Sequence, residues 1–165
     1  MNETFENILS KNAYFMPPKV ISTIQELIGN PVNSDYWGSG LPLWITGGKN
    51  EERTRLLKWV LSELNRKHGK LNVKYCNAYD FVEIINTGNI DSFQEKYADV
   101  DFLLVDNAQY LASCPAIEDE FFKMYCHMTE RNAPIFIAAD ASFKNLGFNV
   151  RLMTRFAVGA EVSLV

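Results

Sequence analysis

The chain has 165 residues, of which 47% are hydrophobic and 13% aromatic, and this composition suits one folded domain and argues against intrinsic disorder. A formal net charge of −4 creates no field that would attract a phosphate backbone, so strong autonomous DNA binding is not expected. The three cysteines lack the paired spacing of a zinc site, and neither a leader nor an apolar run of about 20 residues is present, so we expect a cytoplasmic protein without a membrane span.

Helical and strand patterns alternate along the chain. Apolar residues at helical spacing predict a helix from Pro17 to Ile28, followed by a polar loop over residues 30–40 and a strand over residues 41–46. A second helix carries the apolar positions of residues 56–64 and ends before Gly69. The later elements are strands over 73–76, 101–105 and 135–139 and helices over 81–85, 92–97 and 117–131. This alternation predicts an α/β fold with a mainly parallel sheet covered on both faces, in which ligands bind at the carboxyl ends of the strands.

The turn from Gly47 to Thr54 lies between a strand and a helix, where a phosphate-binding loop belongs. It keeps Gly47 and Thr54 of the pattern G-x-x-x-x-G-K-[ST], but Glu52 replaces the second glycine and Arg53 replaces the lysine. A carboxylate about 4 Å from a phosphate costs about 4 kcal/mol at an effective dielectric constant near 20. Nucleotide binding is therefore expected to be weak or absent. The alternative is an ordinary polar turn in which Glu52 and Thr54 lie at the start of a helix.

An apolar strand ending in Asp106 and Asn107 resembles a magnesium-binding Walker B element. Thr54 and Asp106 are the residues expected to hold magnesium if a nucleotide binds. The amide of Asn107 stands where hydrolytic proteins carry a second acid, and an amide cannot take a proton from water. Hydrolysis is thus expected to be slow or absent. A plain strand followed by an Asp-Asn turn is the alternative interpretation.

A longer series of residues, in one order along the chain, is similar to the AAA+ domain of the bacterial DnaA initiator family. The matching segments are Thr4–Asn7, Leu43–Gly48, Leu56–Leu57, Asn72–Tyr75, Phe81–Val82, Phe93–Tyr97, Val100–Asp106, Gln109–Leu111, Glu120–Phe122, Asp140 and Arg151–Phe156. The resemblance implies a three-layer P-loop NTPase core with a mainly parallel five-stranded sheet, formed by residues 1–165 as a single domain. Arg53 and the pair Asp106-Asn107 favour the shorter, regulatory Hda-like relatives, whereas Glu52 departs from both groups.

The resemblance also implies roles for individual residues. Gly47, Gly48, Arg53, Thr54, Asp106, Asn107 and Asp140 match the nucleotide site in degenerate form. Arg155 matches the arginine finger, a residue that acts on the nucleotide of a neighbouring subunit. The alternative is a structural role, because Arg151 and Arg155 are one helical turn apart and could pair with nearby acids. The implied partner is the initiator DnaA, another AAA+ protein or a second copy of the chain.

The sequence therefore predicts a catalytically degenerate regulator of chromosomal replication initiation that works through protein contacts. The alternatives are a non-hydrolysing switch that binds ADP or ATP with magnesium, and a weak ATPase of the helicase-loader type. The chain ends soon after Arg155, so we expect no helical lid and no helix-turn-helix DNA-binding domain. The aromatic residues Phe121, Phe122 and Tyr125 are predicted to form the buried face of their helix.

Overall fold

The computed structural model describes residues 18–31 and 41–164. The Thr4–Asn7 segment and most of the loop predicted over residues 30–40 lie outside the described residues. Within the described ranges, no helix is both long enough and apolar enough to cross a membrane.

The described helices and strands follow the predicted alternation closely. In chain order they are α1 (Pro18–Gly29), β1 (Leu43–Gly47), α2 (Asn50–Lys67), β2 (Val73–Asn77), α3 (Ala78–Asn86), α4 (Ile90–Tyr97), β3 (Phe102–Asp106), α5 (Pro115–Glu130), β4 (Ile135–Ala138), α6 (Val150–Phe156) and β5 (Ala160–Leu164), with short 3₁₀ segments at Ala108–Ser113 and Phe143–Asn145. Most boundaries fall within one to three residues of the predicted ones, which is the usual fraying of element ends.

The five strands form one parallel sheet in the order β2-β3-β4-β1-β5. The predicted α/β fold with a parallel five-stranded sheet is therefore confirmed. The strand pattern did not locate β5, which lies at the sheet edge beside β1. Its alternation of exposed Glu161 and Ser163 with buried Val162 and Leu164 is the signal of a half-buried strand.

Helices cover both faces of the sheet. Successive residues of a strand point to opposite faces, so neighbouring strand positions pack with different helices. In β3, Phe102 and Leu104 pack with α1 and α2, whereas Leu103 and Val105 pack with α3, α5 and α6. All four of these side chains are buried, which is why the strand sequence is continuously apolar. The structure thus has the predicted three layers.

The buried face of α5 differs in one position from its prediction. Phe121 and Tyr125 are 0% and 3% exposed and belong to the core, as expected. Phe122 is only partly buried, and it lies at the margin of that core. The prediction is therefore only partly met for Phe122, which lies about 100° around the helix from Phe121, at the edge of the buried stripe.

Candidate functional site

The predicted nucleotide-site residues lie at the carboxyl edge of the sheet. Gly47 ends β1, Asp106 ends β3, and Asp140 follows β4 by two residues. Because these parallel strands are neighbours, their ends meet at one edge. Arg155 is not part of this group. It lies on α6, on the sheet face opposite α2.

Two glycines let the chain turn sharply between β1 and α2. Gly47 and Gly48 have φ angles of +75° and +61°, in the left-handed region that glycine tolerates best. A Cβ atom on Gly47 would lie 2.3 Å from the carbonyl oxygen of Leu164, and one on Gly48 would lie 2.4 Å from Oε2 of Glu52. The turn is therefore packed tightly against the end of β5 and against the first turn of α2.

The turn itself is shorter than predicted, because α2 already begins at Asn50. The N–H groups of Glu52 and Arg53 donate to the carbonyl oxygen of Lys49, at 3.1 and 3.2 Å. The N–H of Lys49 donates in turn to Oε2 of Glu52, at 3.2 Å. This carboxylate lies at the positive end of a helix, which is where helix geometry favours an anion. Three backbone N–H groups of the turn, those of Lys49, Glu52 and Arg53, are thus engaged within the chain itself.

The side chain of Arg53 points back toward the turn between β1 and α2. Its side chain is almost fully buried, at 5% exposure for the residue. Nη1 donates to the carbonyl oxygens of Gly47 and Gly48, at 2.7 and 3.1 Å. A buried charged group needs such partners to offset the loss of its hydration. The guanidinium therefore stabilises the closed loop.

Asp106 is fully buried and accepts three hydrogen bonds. Oδ2 accepts from the hydroxyls of Thr54 and Tyr75, each at 2.5 Å, and Oδ1 accepts from the N–H of Asn107 at 2.9 Å. Asp106 follows Phe102 and Leu104 on the same side of β3, so its side chain faces α2, which carries Thr54. The three donors together offset the cost of burying this carboxylate.

Tyr75 is a residue of this site that the sequence analysis missed. Burial raises the pKa of its hydroxyl above the ordinary value, and the hydrogen bond to Asp106 and the charge of that carboxylate raise it further. The hydroxyl therefore remains a donor to Asp106 throughout the neutral range. The contact follows from strand register, which the sequence does not reveal: Tyr75 pairs with Leu104 in the neighbouring strand, so its side chain shares a face with Asp106.

Asn107 and Asp140 are the other two predicted site residues at this edge of the sheet. Asn107 has a φ angle of +55°, a conformation that asparagine tolerates better than most residues. The N–H of Asp140 donates to Oε1 of Gln109 at 3.2 Å, while Asp140 itself is exposed. Across the described part of the chain, no group of three or more His, Cys, Asp or Glu side chains is arranged to hold a metal ion.

Arg155 occupies a different chemical setting on the surface of α5 and α6. Its Cζ atom lies 4.9 Å from the ring centroid of Phe122, and Cζ of Arg151 lies 3.9 Å from the same centroid. Arg151 also donates to Oδ1 of Asp119 at 2.7 Å. The expected pairing with an acid is therefore present for Arg151. Arg155 is exposed and forms no ion pair with any residue that the structure describes.

Comparison with known proteins gives one consistent result. The sequence profile of the bacterial DnaA ATPase domain matches residues 17–163. The chain is 32% identical over 165 residues to the chromosomal replication initiator protein DnaA of Helicobacter acinonychis (strain Sheeba), with 98% of this chain and 35% of that protein covered. The chain thus spans about a third of the length of the curated relatives it matches.

Solved structures agree with the sequence match. Domain III of the Thermotoga maritima replication initiation protein DnaA has a TM-score of 0.75 and 26% identity, covering 94% of this chain and 65% of that chain. The AMPPCP-bound DnaA from Aquifex aeolicus has a TM-score of 0.73 and 26% identity, covering 92% and 48%. That relative is bound to the nucleotide analogue AMPPCP.

Proposed function

This chain belongs to the bacterial DnaA ATPase-domain family, and from that premise we propose that it regulates the initiation of chromosomal DNA replication without hydrolysing ATP itself. In this proposal it is a degenerate, Hda-like member of the family that works through contacts with the initiator DnaA or another AAA+ protein. The proposal depends on two properties, a phosphate loop closed by its own side chains and an arginine available to a partner.

One observation carries the first property. The guanidinium of Arg53 donates to the carbonyl oxygens of Gly47 and Gly48 and is nearly buried. In a working phosphate loop, the cation at this position points at the β- and γ-phosphates. To meet a phosphate, Arg53 would have to give up both hydrogen bonds, and the loss of hydrogen bonds from a charged donor costs free energy. Its planar fork also differs from the compact ammonium of lysine.

Glu52 strengthens this argument through its charge. Its carboxylate accepts the N–H of Lys49 at the start of α2, where a bound phosphate would compete for the same donor. The resulting repulsion costs about 4 kcal/mol at about 4 Å and an effective dielectric constant near 20, equivalent to about three decades of affinity. Glu52 is therefore an internal substitute for the anion that this turn binds in nucleotide-binding relatives.

Hydrolysis faces a further obstacle at the end of β3. Asp106 already accepts hydrogen bonds from Thr54, Tyr75 and Asn107, which leaves this carboxylate about one lone-pair site for a metal ion. Asn107 offers an amide where a second carboxylate would polarise water. The oxygens of Thr54 and Asp106 are suitable magnesium ligands by type, but their direct mutual hydrogen bond occupies them. As they are arranged, these residues therefore do not fit a magnesium–nucleotide site.

Arg155 supports the second property. An arginine finger acts on the nucleotide of another subunit, so it does not require its own chain to hydrolyse ATP. Arg155 is exposed, and no described carboxylate neutralises it. We therefore expect the protein to raise the rate at which the ATP-loaded initiator hydrolyses its nucleotide.

A binding titration with labelled ADP and ATP, with and without magnesium, tests the closed loop. We expect no binding at micromolar protein for the wild type. The double variant Glu52→Gly and Arg53→Lys restores the loop pattern, and we expect it to bind measurably tighter. The double variant Glu63→Gln and Arg66→Lys changes a surface ion pair on the same helix, away from the loop, and serves as the matched control.

The same titration separates the alternatives. Micromolar binding by the wild type without turnover would replace our proposal by a nucleotide switch, in which Thr54 and Asp106 hold magnesium. Magnesium-dependent phosphate release by the wild type alone would instead establish a weak ATPase of the helicase-loader type.

A further inference from the structure

Two arginines of α6 lie over one aromatic ring of α5. The Cζ atoms of Arg151 and Arg155 are 3.9 and 4.9 Å from the ring centroid of Phe122. Both distances are within the roughly 6 Å at which a cation is attracted to an aromatic face. The ring is only partly buried, so it presents a face at the surface. Phe122 is therefore a shared platform for two guanidinium groups.

The two guanidinium groups differ in what else they contact. Arg151 donates to Asp119 at 2.7 Å, and this ion pair neutralises its charge. Arg155 has no ion pair within residues 18–31 and 41–164. Arg151 is thus fixed to α5 by a carboxylate and a ring, whereas Arg155 is held by the ring and keeps its charge available.

We propose that Phe122 is a positioning residue, which orients Arg155 toward an anionic group of a partner protein; this inference rests on the proposed role of Arg155 in trans. A carboxylate partner would occupy the N–H donors of the guanidinium and would have to be displaced by the incoming anion. An aromatic face attracts the cation without taking up those donors in hydrogen bonds. The ring therefore restricts a long, flexible side chain while leaving its five donors for the partner.

This arrangement lowers the entropic cost of the contact. A free arginine side chain samples many rotamers, and ordering it opposes binding. Contact with Phe122 restricts that freedom before the partner arrives, which is the principle of preorganisation. The Arg151–Asp119 pair contributes by holding the neighbouring guanidinium against the same ring.

Two variants of Phe122 separate ring stacking from simple packing. Phe122→Leu keeps an apolar side chain but removes the aromatic face, and Phe122→Tyr keeps the face. The assay measures phosphate release from the ATP-loaded initiator of the host, with each variant added at saturating and subsaturating concentrations. We expect about two- to fivefold less stimulation from Phe122→Leu and nearly full stimulation from Phe122→Tyr. Thermal unfolding of both variants verifies that they fold.

A spectroscopic measurement tests the positioning without any partner. The Nε–H resonance of Arg155 should carry a ring-current shift in the ¹H–¹⁵N spectrum of the wild type. We expect this shift to disappear in Phe122→Leu and to persist in Phe122→Tyr. An unshifted resonance in the folded wild type would overturn the proposal.

The outcomes distinguish the two hypotheses. If the wild type stimulates the initiator and Phe122→Leu stimulates it equally well, the positioning role is refuted while the proposed function stands. If the wild type gives no stimulation, the action of Arg155 in trans is refuted, and the positioning role for that reaction with it. A ring-dependent loss of stimulation, together with the ring-current shift, supports both.

Discussion

Charged side chains have opposite environments at the carboxyl edge of the sheet and on the surface of α5 and α6. At the sheet edge, Arg53 donates hydrogen bonds to two loop carbonyl oxygens and Asp106 accepts hydrogen bonds from three donors. Both residues are buried. At the surface, Arg155 rests on an aromatic ring and is exposed. A charge satisfied inside its own chain contributes to stability, whereas an exposed and uncompensated charge remains available to a ligand. In the function proposed above, the first region has a structural role and the second contacts the partner.

The largest expected effect comes from removing the exposed charge. Arg155→Ala should abolish the stimulation of the ATP-loaded initiator, because an arginine finger accounts for roughly a thousandfold or more in hydrolysis rate. Phosphate release from the initiator is the measurement. Arg66→Ala removes an exposed arginine on the other side of the sheet and should leave stimulation unchanged. Equal stimulation by Arg155→Ala and wild type would remove the basis for calling this surface functional.

The second prediction concerns the buried charge of the sheet edge. Asp106→Ala should lower the free energy of unfolding by about 3 kcal/mol, since the hydroxyls of Thr54 and Tyr75 would lose their acceptor in a buried place. Chemical denaturation measures the change. Asp140→Ala, at the same edge but exposed, should stay within about 0.5 kcal/mol of the wild type. Similar losses in the two variants would contradict the structural role assigned to Asp106.

Arg53 provides a smaller test of the same contrast. Arg53→Ala should reduce the free energy of unfolding by about 2 kcal/mol, because hydrogen bonds from a charged donor to Gly47 and Gly48 are lost. Denaturant titrations of this variant and of Arg66→Ala give the comparison, and no resolvable change is expected for Arg66→Ala. A fully stable Arg53→Ala variant would mean that the guanidinium does not hold the loop closed.

The smallest expected effect is that of Tyr75→Phe, which removes one of the donors to Asp106 and should cost about 1 kcal/mol at neutral pH. Because the pKa of Tyr75 is raised on folding, the folded state keeps a proton that the unfolded chain releases above about pH 10. The wild type should therefore lose stability as the pH rises past that value, and Tyr75→Phe should lose it less steeply.

Denaturation at a series of alkaline pH values measures both quantities. Tyr79→Phe, which changes a side chain that is 57% exposed, is the control and should resemble the wild type. Parallel curves for Tyr75→Phe and the wild type would show that folding does not raise the pKa of Tyr75.

Periodicity and burial explain why much of the fold could be predicted. The apolar stretch Phe102–Asp106 has the length of a strand, and the spacing of Leu56, Leu57, Val60 and Leu64 has the period of a helix, so each revealed its own element. The edge strand β5 was harder to locate, since it has two buried positions and follows a short helix. The sequence pattern left the start of α2 open between two interpretations, and the structure begins the helix at Asn50, so that Glu52 and Thr54 lie near its start as the polar-turn alternative had them.

By itself, the sequence determined the parallel α/β architecture, the convergence of Gly47, Thr54 and Asp106 at one sheet edge, and the departures from a working nucleotide site at Glu52, Arg53 and Asn107. Only the tertiary structure decided which hydrogen-bond and aromatic partners the side chains of these two regions contact. The bond between Tyr75 and Asp106 links residues 31 positions apart and depends on the register of β2 and β3. The stacking of Arg155 on Phe122 likewise depends on how α6 packs beside α5. Such contacts arise from packing between distant segments, whereas local periodicity encodes only which face of each segment is buried.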